Sequence, residues 1–226
     1  MSSHVATTNR ARPAGRPPGA TGDDTRGEIL DAALEAFAEA GFEAMSVREL
    51  TRRLGVSHNL VHHHFGSKQD LWRAAIDYGI GSTASELAEL LSRSIGSPRS
   101  RQVLHQVLEN AIALLTKRPE VARIFADESA RSGPRLDYLY EQFLGPLVTI
   151  LSRFLSESRA YGVRDVDSRI AALFVLSSAS AQFTLAALAD KLGIGIESHS
   201  GYNHSLVDLV LGGLLTSDPD RDPERS

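Results

Sequence analysis

The 226-residue chain contains no cysteine. That absence removes disulfides, zinc–thiolate sites and cysteine nucleophiles, and it fits a reducing compartment, so a cytoplasmic location is expected. Aromatic residues are sparse, at 6% with a single tryptophan. Basic charge is not in surplus: 24 Lys and Arg against 28 Asp and Glu leave a net charge of −4, which excludes a uniformly basic nucleic-acid coat. Alternating apolar–polar runs bounded by hairpin turns are missing, as is any repeat at a fixed period. The first twenty residues hold no apolar core of the signal-peptide kind. One stretch, residues 170–189, runs twenty residues without a charge, which is the spanning length. Five of those twenty are Ser, Gln or Thr and many others are alanine, so it is expected to be a helix buried on most sides in a soluble protein, with no membrane partner.

What is present reads as helix almost throughout, and the expected fold is all-α. Residues 1–22, rich in Ser, Thr, Pro, Gly and Arg, are expected to be a disordered basic arm carrying Arg10, Arg12 and Arg16. Residues 217–226 are expected to be a disordered tail. Between them, residues 23–68 form a candidate small domain and residues 69–216 a larger helical body. In "TRGEILDAALEAFAEAGF", Ile29, Leu30, Ala33, Leu34 and Phe37 share one helical face and Gly41 supplies a stop. In "SVRELTRRLG", Ser46 is a cap, with Glu49 placed as in a capping box, and Val47, Leu50 and Leu54 face inward. Ser67 and Asp70 repeat the cap before "LWRAAI". Farther on, Arg99–Lys117, Glu120–Ala130, Pro134–Tyr161, Asp167–Leu192 and His204–Thr216 read as helices, the third irregular near Gly145-Pro146.

The charge is not evenly spread. Between Met45 and Arg73 stand Arg48, Arg52, Arg53, Lys68 and Arg73 against Glu49 and Asp70 alone. Two short helices joined by the Gly55 turn make a helix-turn-helix candidate in this basic stretch. Val61 and Phe65 anchor its second helix, leaving His58, Asn59, His62 and His63 facing outward or partly so.

Histidines crowd that helix in "SHNLVHHHFGSK". A metal site, a catalytic site and a nucleic-acid surface are the three readings to weigh. Successive helical residues point about 100° apart, so His62, His63 and His64 do not converge on one ion. His58 and His62 have ligand spacing but no third partner, and structural zinc wants four ligands. Catalysis lacks a carboxylate to orient a base. No metal, cofactor or catalytic residue is therefore expected. A DNA surface needs nothing further: imidazole meets phosphates or thymine methyls, and Asn59 matches adenine N6 and N7.

The run "ILDAALEAFAEAGF", "SVRELTRRLGVS", a helix ending "HHF" and then "SKQDL" resembles, in order, the N-terminal DNA-binding domain of the TetR family of transcriptional regulators. The resemblance implies a ligand-responsive regulator, most simply a repressor, that binds a palindromic double-stranded operator as a homodimer. Half-sites about 34–36 Å apart would follow. It implies base-reading positions at His58, Asn59 and Leu60, backbone contacts at His63 and His64, and a phosphate contact at Lys68. Ser46 and Arg48 open the preceding helix, where a hydroxyl meets phosphate and a guanidinium reaches guanine. His62 stands where the family most often has tyrosine, and Leu60 replaces a smaller residue. Arg53 is expected to be solvated surface, with Arg52 open between surface and DNA.

In the body, Phe125, Glu128, Tyr138, Tyr140, Phe143, Phe174 and Phe183 are candidates to line a small-molecule site, with ordinary core packing as the alternative for the aromatic residues. For Glu128 the alternative is a surface pair with Arg131 or Arg135. The low polarity suggests an apolar or amphipathic effector. The helix 167–192 and the segment with Leu206, Val207, Leu209, Val210, Leu214 and Leu215 are expected to form the dimer interface. A second reading stays open, a helical enzyme or small-molecule-binding protein whose helix-turn-helix is only structural. If imidazolium groups bind phosphate, DNA affinity falls as pH rises from about 6 to 8 at fixed salt; equilibrium binding across that range checks this, and a flat profile contradicts it.

Overall fold

A computed structural model describes residues 22–96, 101–193 and 199–215. The expected arm and tail lie outside the described residues, apart from Gly22 at the start of the first helix. Eleven α-helices follow in order among the described residues: α1 (Gly22–Ala44), α2 (Val47–Leu54), α3 (His58–Phe65), α4 (Lys68–Ser94), α5 (Arg101–Thr116), α6 (Pro119–Ser129), α7 (Pro134–Leu139), α8 (Gly145–Ser158), α9 (Ser168–Thr184), α10 (Ala186–Lys191) and α11 (His199–Leu214). No strand occurs among them; one isolated bridge pairs Val163 with Leu215. The all-α expectation holds.

The amphipathic readings translate into burial. Ile29, Leu30, Ala33, Leu34 and Phe37 of α1 are all buried, and α1 breaks at Gly41, whose φ of 72° lies in the left-handed region. Ser46 caps α2 by accepting from the Glu49 N–H, but the capping box is half formed. The Glu49 carboxylate turns instead to Arg52. The box at Ser67 and Asp70 is complete and starts α4; its hydrogen bonds from Ser67 hold the Asp70 carboxyl below its ordinary range.

Two apolar clusters fill the interior. The first joins α1, α2, α3 and the start of α4 to Ile124, Leu139 and Phe143. The second joins the end of α4 to α5, α8, α9 and α11. Helix α4 belongs to both, through Leu71, Trp72, Ala75, Ile76 and Ile80 on one side and Leu87 and Leu91 on the other. The division expected at residues 68/69 therefore does not coincide with a gap in packing; the clusters meet within α4, between Ile80 and Leu87.

Two helix expectations change. The irregularity near Pro146 is a π-helical turn over Tyr140–Leu144, in which the Gly145 N–H reaches back to the Tyr140 carbonyl; proline at 146 has no N–H to continue the regular ladder. The helix expected over 167–192 is two helices, broken at Leu185. Hydroxyls of Ser177, Ser180 and Thr184 bond to carbonyls of the preceding turn, a competition that bends and weakens helices. Nor is α9 buried on most sides: Ile170, Leu173 and Phe174 are exposed in the single chain. No helix among the described residues is long and apolar enough to cross a membrane.

Helices α1 and α4 touch at Gly79, where an added Cβ would lie 2.6 Å from Leu34 Cδ2. Leu34 is itself buried, so the clash has little room to relax. Gly79→Ala is expected to destabilise by about 1–3 kcal/mol, whereas Gly27→Ala, with nothing within 4 Å of its Cβ, stabilises or is neutral; urea unfolding of both variants checks the contrast.

Candidate nucleic-acid interface

Helices α2 and α3 meet through a turn that Gly55 closes in the left-handed conformation. Ser57 then caps α3, accepting from the Leu60 N–H at 3.1 Å. Val61 and Phe65 pin α3 to the first cluster. With two inward anchors four residues apart on an eight-residue helix, the remaining positions fan outward. His58, Asn59, His62, His63 and His64 are all exposed, and Leu60 is half-buried. The rings of His63 and His64 meet edge-to-face at 5.6 Å. They do not converge on an ion: among the described residues the only group of three metal-capable side chains lies elsewhere, at His105, Glu109 and His204.

The cations around α3 differ in their freedom. Arg48 is exposed and makes no ion pair among the described residues. Arg52 is paired with Glu49 on the open face of α2, which lowers the glutamate's pKa through their hydrogen bond. Arg53, expected as solvated surface, is exposed and also ties α2 to α1 through Glu35 at 3.2 Å and the Ala32 carbonyl. Lys68 points its Nζ at the Glu43 carbonyl, 3.1 Å away, and lies over the Phe42 ring. Arg26 was not singled out from sequence; it stacks over Phe65 at the end of α3. No local pattern marks it, because the contact joins residues 39 apart.

The helical body that follows holds a cavity of about 180 Å³. Its walls come from α4, α5, α6, α8, α9, α11 and the π-helical turn, and they are aliphatic apart from three phenylalanines and Thr83, Arg118 and Ser180. Phe125 and Phe143 line it, as does Phe154, which sequence reading missed. The other expected lining residues do not. Glu128 is buried but accepts a 2.7 Å bond from Arg135, a buried clasp rather than a surface pair. Arg131 pairs with Asp127 instead. Tyr138 packs against Trp72 and donates to Asp77 at 2.6 Å; burial, with that hydrogen bond, pushes its hydroxyl up to about 12. Tyr140 and Phe174 are exposed, 55% and 53%, because the turn and α9 rotate them outward. Phe183 is buried in the chain away from the cavity wall.

Arg118 is the cavity's one charged residue, and it was also missed. It donates to Asp31 of α1 at 2.9 Å and lies over the Tyr78 ring, while the Tyr78 hydroxyl donates to the same carboxylate at 3.0 Å. The Asp31 bond raises the guanidinium's pKa above its ordinary value.

Residues 29–75 match the sequence profile described as bacterial regulatory proteins, tetR family. The chain is 32% identical over 109 residues to the HTH-type transcriptional repressor Rv3405c of Mycobacterium tuberculosis, covering 48% of this chain and 50% of that one. It is 31% identical over 96 residues to the HTH-type transcriptional activator FasR of Mycolicibacterium smegmatis, covering 39% and 44%. The matches thus span about half the length of these curated relatives. In three dimensions it shares its fold with the regulator FadR from Bacillus subtilis, solved in complex with stearoyl-CoA, at a TM-score of 0.60 and 20% identity over 84% of this chain and 97% of that one.

The exposed histidines carry little of the fold, and the two anchors carry much of it. His63→Ala and His64→Ala are each expected to shift stability by less than about 0.5 kcal/mol, and Phe65→Ala to cost about 3–5 kcal/mol; thermal unfolding separates the two groups.

Proposed function

We propose that this chain, whose residues 29–75 match the tetR-family profile, represses transcription by binding a palindromic operator as a homodimer and leaves the DNA when a small effector fills its cavity. The observation that carries the DNA reading is α3 itself, fixed from within by Val61 and Phe65 while five polar residues stand exposed on its other faces. His58, Asn59 and Leu60 are the base-reading positions. His62 takes the place of a tyrosine contact, and His63 and His64 meet the sugar–phosphate backbone. Ser46 and Lys68 bind phosphates; Lys68 then exchanges the Glu43 carbonyl for a phosphate oxygen. Arg48 is free to reach a guanine edge. On this reading the chain acts as a regulator rather than as an enzyme.

Two copies join through α9 and α11. Ile170, Leu173 and Phe174 form an exposed apolar face on α9, and Leu209 stands on α11 among exposed Gly201, Ser205 and Gly212. Small residues there permit close helix approach. The interface is narrower than expected from sequence, because Leu206, Val207, Val210 and Leu215 point into their own chain. Phe174 on this reading serves the dimer rather than the ligand.

The effector is an apolar body with an anionic head. Aliphatic walls take the body, and Arg118 takes the head. The Arg118–Asp31 pair is partly exposed, and such pairs contribute about 0–1 kcal/mol, so a carboxylate displaces Asp31 at small cost. The cavity is smaller than the roughly 300–1,000 Å³ of most ligand pockets. A ligand larger than it parts α4 from α5 and α8, and α1 loses its tether at the same moment.

Operator affinity is expected to fall steeply with salt, with a log–log slope of about −0.9 per phosphate contact; a salt-insensitive or absent interaction with any duplex selected from a random pool contradicts the DNA reading. In a series from octanoate to palmitate, at least one acid releases the DNA, and Arg118→Gln raises the concentration required by about tenfold to a hundredfold. Fluorescence anisotropy of a labelled operator measures both, and an unchanged release concentration removes Arg118 from the effector site.

A further inference from the structure

Helices α5 and α11 face each other across a pattern that occurs twice. His105 and Glu109 stand four residues apart on α5, and His204 and Asp208 four apart on α11, so each pair shares one face of its helix. The two faces meet. Glu109 lies beside Nδ1 of both rings, 3.5 Å from His105 and 3.8 Å from His204. Asp208 lies beside Nε2 of both, at 3.6 and 3.7 Å. The ring centroids are 6.0 Å apart.

These separations are too long for good hydrogen bonds. The two Glu109 contacts are close to the spacing between neighbouring ligands of a tetrahedral metal ion, which for bonds of about 2.0–2.1 Å is roughly 3.3 Å, and one ligand atom from each of His105, Glu109 and His204 lies within 4.8 Å of the others. We propose that His105, Glu109 and His204 bind a divalent transition-metal ion of the zinc type, with Asp208 holding both rings from behind. The ion is coordinated by the two Nδ1 atoms and a Glu109 oxygen, and water completes the tetrahedron. Both rings then carry their proton on Nε2 and donate it to Asp208, the arrangement by which a carboxylate fixes ring tautomer and orientation behind a metal. Two imidazoles and one carboxylate suit zinc, cobalt or nickel and are a poor set for magnesium or calcium, which take oxygen ligands. The half-exposed rims of the cluster leave a path for the ion.

The location gives the ion a structural effect. Leu104, Val107 and Leu108 of α5 and Leu211 and Leu214 of α11 line the apolar cavity on the inner side of the same two helices. A metal between His105 and His204 clamps that wall from outside. Nothing in this site depends on the DNA reading.

The test is calorimetric titration of Zn²⁺ into the full-length chain stripped with chelator, with thermal unfolding as a second readout. Because four further histidines stand exposed on α3 and are a competing source of zinc uptake, three variants are compared: His105→Asn with His204→Asn, His62→Asn with His63→Asn and His64→Asn, and Asp208→Asn. The proposal expects one tight Zn²⁺ per chain and a raised Tm in the wild type, both kept when the three recognition-helix histidines are replaced. Both are lost in the His105/His204 double variant, whose fold is verified by circular dichroism without metal. Asp208→Asn weakens the site by about 10–100-fold, and Mg²⁺ does not compete. Absence of tight binding in the wild type overturns the proposal, as does binding that survives in the double variant or disappears with the recognition-helix histidines.

Discussion

The burial of α4 on two sides is the constraint from which the rest of the architecture follows. At 27 residues it is about 40 Å long. Its first turns carry Leu71, Trp72, Ala75 and Ile76 into the core beneath the helix-turn-helix, and its last carry Leu87 and Leu91 into the core of the body. Gly79 sits between, allowing α1 to approach through Leu34. The helix-turn-helix is therefore not a bead on a string. Interiors packed in this way shift between discrete arrangements rather than deform smoothly, and on the proposed reading a change in the cavity wall would reach α3 by moving α4 as a body. The Asp31, Tyr78 and Arg118 contacts add a polar tie at the same level, joining α1, α4 and the cavity rim.

Local patterns made the N-terminal half legible in the sequence. Caps at Ser46 and Ser67, glycine stops at 41 and 55, and apolar positions three and four apart in α1 to α4 are all set within a few residues, and each appears in the structure. That His62, His63 and His64 point in different directions followed from helical geometry alone. What sequence could not supply was which face of a long apolar helix looks inward. Phe174, Phe183 and Tyr138 are chemically plausible lining residues, but their orientation is decided by the break at Leu185, the π-helical turn and the packing on Trp72. Pro146 signals the turn in the sequence, but it does not say which side chain the turn carries outward. The apolar residues of α11 showed the same ambiguity, with Leu206, Val207 and Val210 turning inward and Leu209 outward.

The residues missed altogether depend on contacts between distant parts of the chain. Arg118 reads as one more cation before a proline until Asp31, 87 residues earlier, is placed against it. The pairs His105/Glu109 and His204/Asp208 each look like an ordinary surface couple, and only the packing of α5 on α11 brings them together. A polar chain from Gln182 through Asn203 to Thr116 fastens α9, α11 and α5 a turn away. Helix α11 is thus held to α5 by side-chain chemistry as well as by apolar area.

The chain's lack of cysteine makes the central claim, that cavity occupancy moves the DNA-reading unit through α4, directly measurable. A single cysteine introduced at exposed Glu39 of α1 puts one spin label on each protomer, and pulsed electron resonance reads the distance between them. The account predicts a dipolar signal from a dimer, with a mean distance that differs between the operator-bound state and the state saturated with whichever acid releases the DNA. Superimposable distributions in the two states, or no dipolar signal at all, would contradict it.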